Sequence, residues 1–163
     1  MYRNSWQRFL ASIIDGILLY LPILIVWMNV QDETFKLYFF NLYNLVPITY
    51  FVFCNYYCGQ TLGKSVMNIK VVNYSTEENI SFKQSVFRES PWVILSVLST
   101  TCYLLQYFLG YDSITGFNGL LLAFASTFGT YWWFLEMITM FTNSKRRAIH
   151  DFLGGTVVVR SNS

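Results

Sequence analysis

Charged side chains are scarce in this chain of 163 residues. Asp, Glu, Lys and Arg make up 12% of it, whereas hydrophobic residues make up 54% and aromatic residues 20%. The apolar residues are grouped in blocks of about twenty, the length that a helix needs to cross a hydrocarbon core of roughly 30 Å. Short alternations of apolar and polar residues are not the main pattern. We therefore predict a membrane protein rather than a soluble domain.

Cysteine and histidine are also rare, with three cysteines and one histidine. Cys54, Cys58 and Cys102 are odd in number and fall in apolar blocks, which argues against a disulfide framework. Cys54 and Cys58 share a helix face, but the sequence nearby holds no histidine or further cysteine to complete a metal set. No nucleophile–base set and no cofactor fingerprint is visible. We therefore expect no enzyme activity, no bound metal and no cofactor.

Four apolar blocks are long enough to be transmembrane helices: residues 9–30, 37–58, 92–111 and 120–141. The first block contains Asp15 and lacks a small-residue cleavage site, so we expect it to remain as a helix and not to be removed as a signal peptide. We predict one membrane domain over residues 1–160, followed by a short tail at 161–163.

Lysine and arginine lie almost entirely on one side of the predicted helices. Ten of the eleven precede the first span, lie between the second and third, or follow the fourth, and Lys36 alone falls on the other side. The positive-inside rule therefore places both termini and the central loop in the cytoplasm of a multi-pass protein of the cell inner membrane. Lys145, Arg146 and Arg147 follow the fourth span, where we expect them to bind anionic lipid headgroups and not nucleic acid.

Two short strand-like segments lie on the predicted cytoplasmic side. Residues 69–73 and 156–159 are rich in valine and have polar or glycine-containing turns beside them. These two segments can pair with each other as a two-stranded β ribbon. The predicted fold class is thus an all-α membrane protein, with four transmembrane helices and a small cytoplasmic cap in which this ribbon can form.

Two acidic residues fall inside predicted spans. At 1.5 Å per residue, Asp15 lies about 9 Å and Glu136 about 7–8 Å from the cytoplasmic ends of their helices. A charge in the bilayer costs about 2.5–3.5 kcal/mol on insertion scales, so an intramembrane acid indicates a functional site. The two carboxylates could meet near the inner leaflet and exchange protons for cations. The alternative is that they fix helix packing through hydrogen bonds or, for Glu136, reach water.

Helix geometry limits the possible partners of Arg8 and Asp15. Arg8 and Asp15 share one side of the first helix, but their Cα atoms are about 10 Å apart along its axis. Side chains tilt towards the helix N-terminus, so Arg8 points away from Asp15. We expect Arg8 to meet a lipid phosphate or Asp151. Asp15 needs water, a cation or a donor from another helix, and Arg88 is one candidate.

Three separated segments carry recognisable motifs. Residues 8–15 begin with an arginine that is followed seven residues later by an aspartate, in an Ile-Asp pair. Residues 59–64 read Gly-Gln-Thr-Leu-Gly-Lys and precede the strand-like Ile-Lys-Val-Val at 69–72, and residues 146–159 form the closing stretch. In this order the segments resemble the RDD family of integral membrane proteins. The resemblance maps the family motif onto Arg8, Asp15, Gly59, Thr61, Gly63, Lys64 and Asp151.

The resemblance implies residence in a membrane and transport, including cation–proton exchange for some members. The chain departs from the family pattern at Ser65 and Asn68, where a basic residue and a glycine are common. We therefore hypothesise a transporter of a small cation such as Na⁺, or of H⁺, in which Asp15 and Glu136 bind the ion. Four helices offer few walls for a pathway, so we expect a homo-oligomer. The alternative is a non-transporting accessory or scaffold subunit of a larger membrane complex.

Overall fold

The computed structural model describes residues 4–32, 35–36, 39, 42–109 and 117–161. Within these, the helices are Ser5–Asn29 (α1), Leu45–Cys58 (α2), Leu62–Val66 (α3), Phe82–Leu109 (α4), Phe117–Thr142 (α5) and Ile149–Leu153 (α6), and the strands are Ile69–Asn73 (β1) and Thr156–Arg160 (β2). Most of the described residues are helical, in keeping with the predicted class. Part of the predicted second span (37, 38, 40 and 41), the side chain of Cys102 and the last two tail residues lie outside the described residues.

The helix α1 is the clearest candidate for a membrane span. It has 25 residues and, within the described part of the chain, it alone combines the length and the apolar composition that crossing a bilayer requires. The described helix α2 is apolar but has 14 residues. Helices α4 and α5 have 28 and 26 residues, but α4 contains Lys83, Arg88 and Glu89, and α5 contains Glu136 among polar and aromatic residues. Four transmembrane helices are therefore not confirmed.

One stripe of α1 packs on the protein, while the rest of its surface is apolar and exposed. The buried residues recur every four positions: Ala11, Asp15, Leu19 and Ile23. On the opposite side, Ile17 and Leu24 are 59% and 51% exposed. A helix with an apolar exposed surface is suited to contact with lipid. The same geometry turns Asp15 towards the protein interior.

The helix α4 begins at Phe82, well before the span predicted at 92. Hydropathy placed the boundary after the charged residues Arg88 and Glu89, because isolated charges are costly in an apolar helix. In the structure Arg88 is 2% exposed and paired with acids inside the protein, so the helix continues through it without exposing its charge. The polar start of α4 is thus part of the cap that contains the β ribbon.

The β ribbon predicted from the two valine-rich segments is confirmed. Strands β1 and β2 pair antiparallel, with Val71 opposite Val158. Ile69, Val71 and Val158 form a buried cluster with Ile80 and with Ala11 of α1. Burying each large aliphatic side chain contributes about 1.5–3 kcal/mol. The ribbon is therefore anchored on the first turns of α1, next to the helix face that carries Asp15.

A tight connection between α2 and α3 brings a glycine-containing segment against α1. Gly59 ends α2 in the left-handed region, with φ of +69°, which glycine adopts without the clash of a Cβ. Thr61 caps α3 by accepting a hydrogen bond from the backbone N–H of Lys64 at 3.3 Å. Gly63 lies so close to Ala11 that a Cβ at position 63 would stand 2.2 Å from the Ala11 carbonyl oxygen. The segment fits because position 63 has no side chain.

Candidate functional site

Asp15 lies in a buried hydrogen-bond cluster formed by α1, α2 and α3. The residue is 1% exposed. Its Oδ1 accepts hydrogen bonds from the backbone N–H of Gly63 at 2.8 Å and from the hydroxyl of Tyr50 at 2.9 Å. Its Oδ2 accepts from the hydroxyl of Thr61 at 2.5 Å. These donors are all neutral, and among the described residues no lysine or arginine forms an ion pair with Asp15.

The donors reach Asp15 because the α2–α3 connection folds back onto α1. Tyr50 donates to Asp15 and its hydroxyl oxygen accepts from the backbone N–H of Leu62 at 2.9 Å, so α2 and α3 are linked at the same point. Thr61 serves both as the cap of α3 and as a donor to Asp15. Two of the predicted motif residues, Thr61 and Gly63, thus present hydrogen-bond donors to a third, Asp15.

Asp151 is the second fully buried acid of the motif. Positively charged groups surround it, whereas the donors to Asp15 are neutral. Its Oδ2 lies 2.6 Å from Nη2 of Arg8 and accepts from the backbone N–H of Ala148 at 2.9 Å, while Oδ1 pairs with Nη1 of Arg88. Burial alone would raise the pKa of the Asp151 carboxyl. The guanidinium groups of Arg8 and Arg88 outweigh burial and hold this pKa well below its ordinary range. Asp151 therefore stays ionised and ties α1, α4 and α6 together.

Helix geometry left two partners open for Arg8, and the structure places it on Asp151. The guanidinium of Arg8 also donates to the carbonyl oxygen of Arg146 at 2.6 Å. Arg88, the candidate donor for Asp15, contacts Asp151 instead. Tyr50 of α2, together with Thr61 and Gly63 at the start of α3, supplies the donors of Asp15 in place of an arginine.

Glu136 of α5 and His150 of α6 extend the cluster around Asp151. Oε1 of Glu136 accepts from the indole N–H of Trp132 at 2.9 Å and also contacts Nδ1 of His150. Nε2 of His150 faces Nη2 of Arg88 at 2.8 Å and Nη2 of Arg8 at 3.4 Å. Guanidinium groups only donate, so Nε2 accepts and Nδ1 carries the hydrogen that is donated to Glu136. His150 is thus a neutral bridge between the two arginines and Glu136.

The two acids that the sequence placed in the membrane do not meet. The hydrogen-bond partners of Asp15 are Tyr50, Thr61 and Gly63. Those of Glu136 are Trp132 and His150. The two sets share no residue, because α3 covers Asp15 while α6 covers Glu136. Asp15 and Glu136 are therefore two separate candidate sites.

Lys64, the last residue of the Gly-Gln-Thr-Leu-Gly-Lys motif, points into the protein. Its Nζ donates to Oδ1 of Asn55 at 2.8 Å, and Asn55 is fully buried. The amide nitrogen of Asn55 lies 3.5 Å from Oε1 of Glu89. Burial, and after it the positive charge of Arg88, lowers the pKa of the Lys64 amine to about 7. An amine with this pKa exchanges its proton near neutral pH.

The basic residues that follow α5 are only partly directed outwards. The guanidinium of Arg147 lies between the rings of Tyr74 and Phe152, 4.2 and 4.0 Å from their centroids. It also donates to the carbonyl oxygens of Thr156 and Asp151, at 3.0 and 2.9 Å. Arg147 therefore holds the cap together.

The other two predicted headgroup-binding residues also lie beside aromatic rings. The Nζ of Lys145 lies 4.3 Å from the centroid of the Tyr74 ring. The guanidinium of Arg146 lies 5.6 Å from the Phe141 ring. Contact between these two residues and lipid headgroups stays a prediction.

Several site residues were not identified from the sequence: Tyr50, Asn55, Glu89 and Trp132. A polar side chain inside an apolar block, such as Asn55, was a usable signal for a buried site. Tyr50 and Trp132 gave no such signal, because aromatic residues are common throughout this chain and their polar atoms reveal a role only once their neighbours are known.

The chain is similar to a known protein family over most of its length. The family whose profile matches is the RDD family, over residues 2–155. The chain belongs to the RDD family. An uncharacterised membrane protein of Bacillus subtilis, YteJ, is 31% identical over 97 residues, which cover 54% of this chain and 59% of that relative. The matched stretch is thus less than two thirds of the relative's length. No solved structure matches the chain.

Family membership and this relative identify the chain as an RDD-family membrane protein. The motif residues of this RDD protein fall into two groups. Arg8 and Asp151 form an ion pair in the cap, while Thr61 and Gly63 hold Asp15 on a span-length helix. In the first group an arginine pairs with the aspartate, whereas in the second the hydrogen-bond donors to the aspartate are neutral.

Proposed function

We propose that this RDD protein transports a small cation, Na⁺ or H⁺, and that Asp15 is the residue that binds it. One observation carries the proposal: Asp15 is buried on an apolar helix of span length and is held by neutral donors only. A carboxylate in such a place has a strong preference for gaining a positive charge, because its ionised form is costly away from water. A bound cation or proton supplies that charge.

The comparison with Asp151 sharpens this assignment. Both aspartates are essentially inaccessible to solvent, but Asp151 is matched by two guanidinium groups. A cation that approached Asp151 would have to displace an arginine, whereas one that approached Asp15 would turn two hydroxyl groups and leave the Gly63 N–H in place. The hydroxyl oxygens of Tyr50 and Thr61 can then direct lone pairs to the cation, which adds oxygen ligands to the carboxylate.

The proposal includes a membrane arrangement and an assembly. The four predicted spans cross the membrane, and both termini lie in the cytoplasm. The one-sided distribution of lysine and arginine supports this orientation. A homo-oligomer supplies further walls for a pathway, and Lys145 and Arg146 bind anionic headgroups at the cytoplasmic surface.

A second candidate function is a non-transporting accessory or scaffold subunit of a larger membrane complex. The observation that favours it is that both oxygens of Asp15 already accept hydrogen bonds, Oδ1 from two donors and Oδ2 from one. In this case Asp15 fastens α2 and α3 to α1 and binds no ion. The two functions differ in whether the purified protein moves ions without a partner.

Ion flux into proteoliposomes tests the proposal. We expect the wild-type protein to carry Na⁺ or H⁺ down an imposed gradient and Asp15→Asn to lose this flux, because asparagine keeps the size of the side chain but not the charge. Asp32→Asn is the matched control, since Asp32 lies at an exposed position after α1. Flux that survives Asp15→Asn contradicts the proposal. An inactive wild-type protein that co-purifies with a stoichiometric partner supports the scaffold function.

A further inference from the structure

An apolar groove runs along α1 and contains none of the residues that hold Asp15. The groove extends from Ile13 to Trp27, a distance of about 21 Å along the helix axis. Its volume is about 580 Å³, its surface is almost entirely apolar, and its lining residues in the described part of the chain all belong to α1. Ligand pockets typically have volumes of about 300–1,000 Å³. The groove therefore has room for a hydrophobic molecule.

Gly16 makes the groove deep enough to receive a hydrocarbon chain. No atom lies within 4 Å of a Cβ built at Gly16, so the space beside this residue is open. Gly16 lies about 16 Å from Trp27 along the helix axis. This distance is about the depth that one leaflet contributes to a hydrocarbon core of roughly 30 Å. An acyl chain that enters the groove beside Trp27 therefore ends near Gly16.

A positive charge lies at the Trp27 end of the groove. The Nζ of Lys36 is 5.1 Å from the centroid of the Trp27 ring. Lys36 is the one basic residue that the sequence places on the other side of the predicted spans. Tryptophan is enriched at the level of the lipid headgroups. An ammonium group has three N–H donors, so it can bind a phosphate in addition to its contacts within the protein. The groove and this charge thus match the two parts of a phospholipid.

The other charges of this turn indicate the kind of headgroup. Asp32 is exposed, and its Oδ1 accepts a hydrogen bond from the backbone N–H of Phe35 at 3.1 Å. Glu33 adds a second acid in the sequence. Two acids beside one lysine repel a headgroup with a net negative charge. They do not repel a headgroup whose phosphate is balanced by its own ammonium group. A zwitterionic phospholipid therefore fits this end of the groove better than an anionic one.

We propose that α1 binds one zwitterionic phospholipid, with an acyl chain in the groove between Trp27 and Gly16 and the phosphate on the ammonium group of Lys36. The proposal goes beyond ion transport, because it requires only that α1 lies in a membrane. The other occupant that such a groove could receive is the α1 helix of a second copy. A copy in the same orientation would bring its own Lys36 to the same end of the groove. The like charges would repel each other, which favours the lipid.

Native mass spectrometry of the purified protein in detergent tests the proposal. Phosphatidylethanolamine, phosphatidylglycerol and diacylglycerol with the same acyl chains are added separately, and the bound lipids are counted. We expect one phosphatidylethanolamine to bind about fivefold more tightly than diacylglycerol, which lacks the phosphate. It should also bind more tightly than phosphatidylglycerol, which is anionic.

Substitutions of Lys36 test the contact with the phosphate. Lys36→Gln should remove the preference for phosphatidylethanolamine over diacylglycerol, whereas Lys36→Arg should keep it, because arginine retains the positive charge. Lys83→Gln is the matched control. The Nζ of Lys83 also lies over an aromatic ring, 5.8 Å from the centroid of Phe87, but on α4. This control should keep the preference of the wild type.

Gly16→Leu tests the groove separately from the charge. The leucine side chain enters the open space, so the variant should fold but should bind all three lipids more weakly. Ala123→Leu, at an exposed position of α5, adds bulk on another helix and should bind lipids as the wild type does. The Lys36 variants do not change the groove, so they remain informative if Gly16→Leu does not fold.

Four outcomes would overturn the proposal. Equal binding of phosphatidylethanolamine and diacylglycerol by the wild type would show that Lys36 binds no phosphate. Tighter binding of phosphatidylglycerol would show that the headgroup is anionic. Unchanged lipid binding by Gly16→Leu would place the acyl chain outside the groove. A change from dimer to monomer in Gly16→Leu, with no lipid bound to either form, would show that a second copy occupies the groove. Ion transport is tested separately, by the flux of Asp15→Asn.

Discussion

The backbone N–H of Gly63 donates a hydrogen bond of 2.8 Å to Oδ1 of Asp15. This contact requires a glycine, because a Cβ at position 63 would stand 2.2 Å from the carbonyl oxygen of Ala11 and 2.9 Å from the Asp15 carboxylate. The family motif around Gly63 is therefore explained by the approach of α3 to α1. This close approach places neutral hydrogen-bond donors around the Asp15 carboxylate.

Gly63→Ala should destabilise the protein, because the added methyl group forces α3 away from α1. Overpacking of this kind costs about 1–3 kcal/mol. Thermal unfolding in detergent, followed by circular dichroism, measures the effect. Gly16→Ala is the matched control, since no atom lies within 4 Å of a Cβ built there. Equal transition temperatures for the two variants would contradict the close approach of α3 to α1.

Arg88→Met should be strongly destabilising. It leaves the buried Asp151 carboxylate with one guanidinium partner and removes a hydrogen-bond donor from His150. Breaking a buried ion pair by removing one partner costs about 3–5 kcal/mol. Lys83→Met, on an exposed position of the same helix, should change the unfolding temperature little. Similarly small changes in unfolding temperature for both variants would show that the ion pairs of Asp151 do not stabilise the cap.

The stability of the protein should rise with pH above neutrality through Lys64. In the unfolded chain lysine keeps its proton up to about pH 10.5, whereas in the folded protein burial lowers the pKa of Lys64 to about 7. Between these values the unfolded state binds more protons, so the free energy of unfolding increases with pH, and below about pH 7 this slope vanishes. Unfolding temperatures at pH 7 and 9 measure the slope. Lys64→Gln should reduce this slope. An unchanged slope would show that another group causes the pH dependence of stability.

His150 should be found as the neutral tautomer with its hydrogen on Nδ1. Its Nε2 accepts from Arg88 and its Nδ1–H is directed to Glu136. Because the chain has a single histidine, ¹⁵N NMR of selectively labelled protein at neutral pH reports this tautomer without ambiguity. Glu136→Gln should perturb the Nδ1 signal most. A spectrum dominated by the Nε2–H tautomer would contradict the bridge.

Local patterns in the sequence predicted the elements that depend on local properties. The valine-rich segments around Val71 and Val158 predicted the β ribbon, because alternation and β-branched residues favour strands. Hydropathy predicted α1 and the burial of a polar site at Asp15. It placed the third span from residue 92, but it could not show that the charge of Arg88, ahead of that span, is neutralised by Asp151, 63 residues away in the sequence.

The donors of Asp15 depend on contacts that no local pattern encodes. Thr61 and Gly63 are 46 and 48 residues from Asp15 in the sequence, and only the fold-back of the α2–α3 connection brings them together. The motif resemblance marked these residues but not their mutual contact. The bridge from Arg88 through His150 to Glu136 was not predicted for the same reason, because it joins three helices.

Infrared difference spectroscopy on the purified protein tests most directly whether Asp15 binds the ion. Spectra are recorded while Na⁺ is added at constant pH, and again while pH is stepped without Na⁺, for the wild type and for Asp15→Asn. We predict carboxylate band changes in the wild type, on one or both steps, that are absent from Asp15→Asn and present in Asp32→Asn. Identical difference spectra for the wild type and Asp15→Asn would contradict the assignment of Asp15 as the ion-binding group.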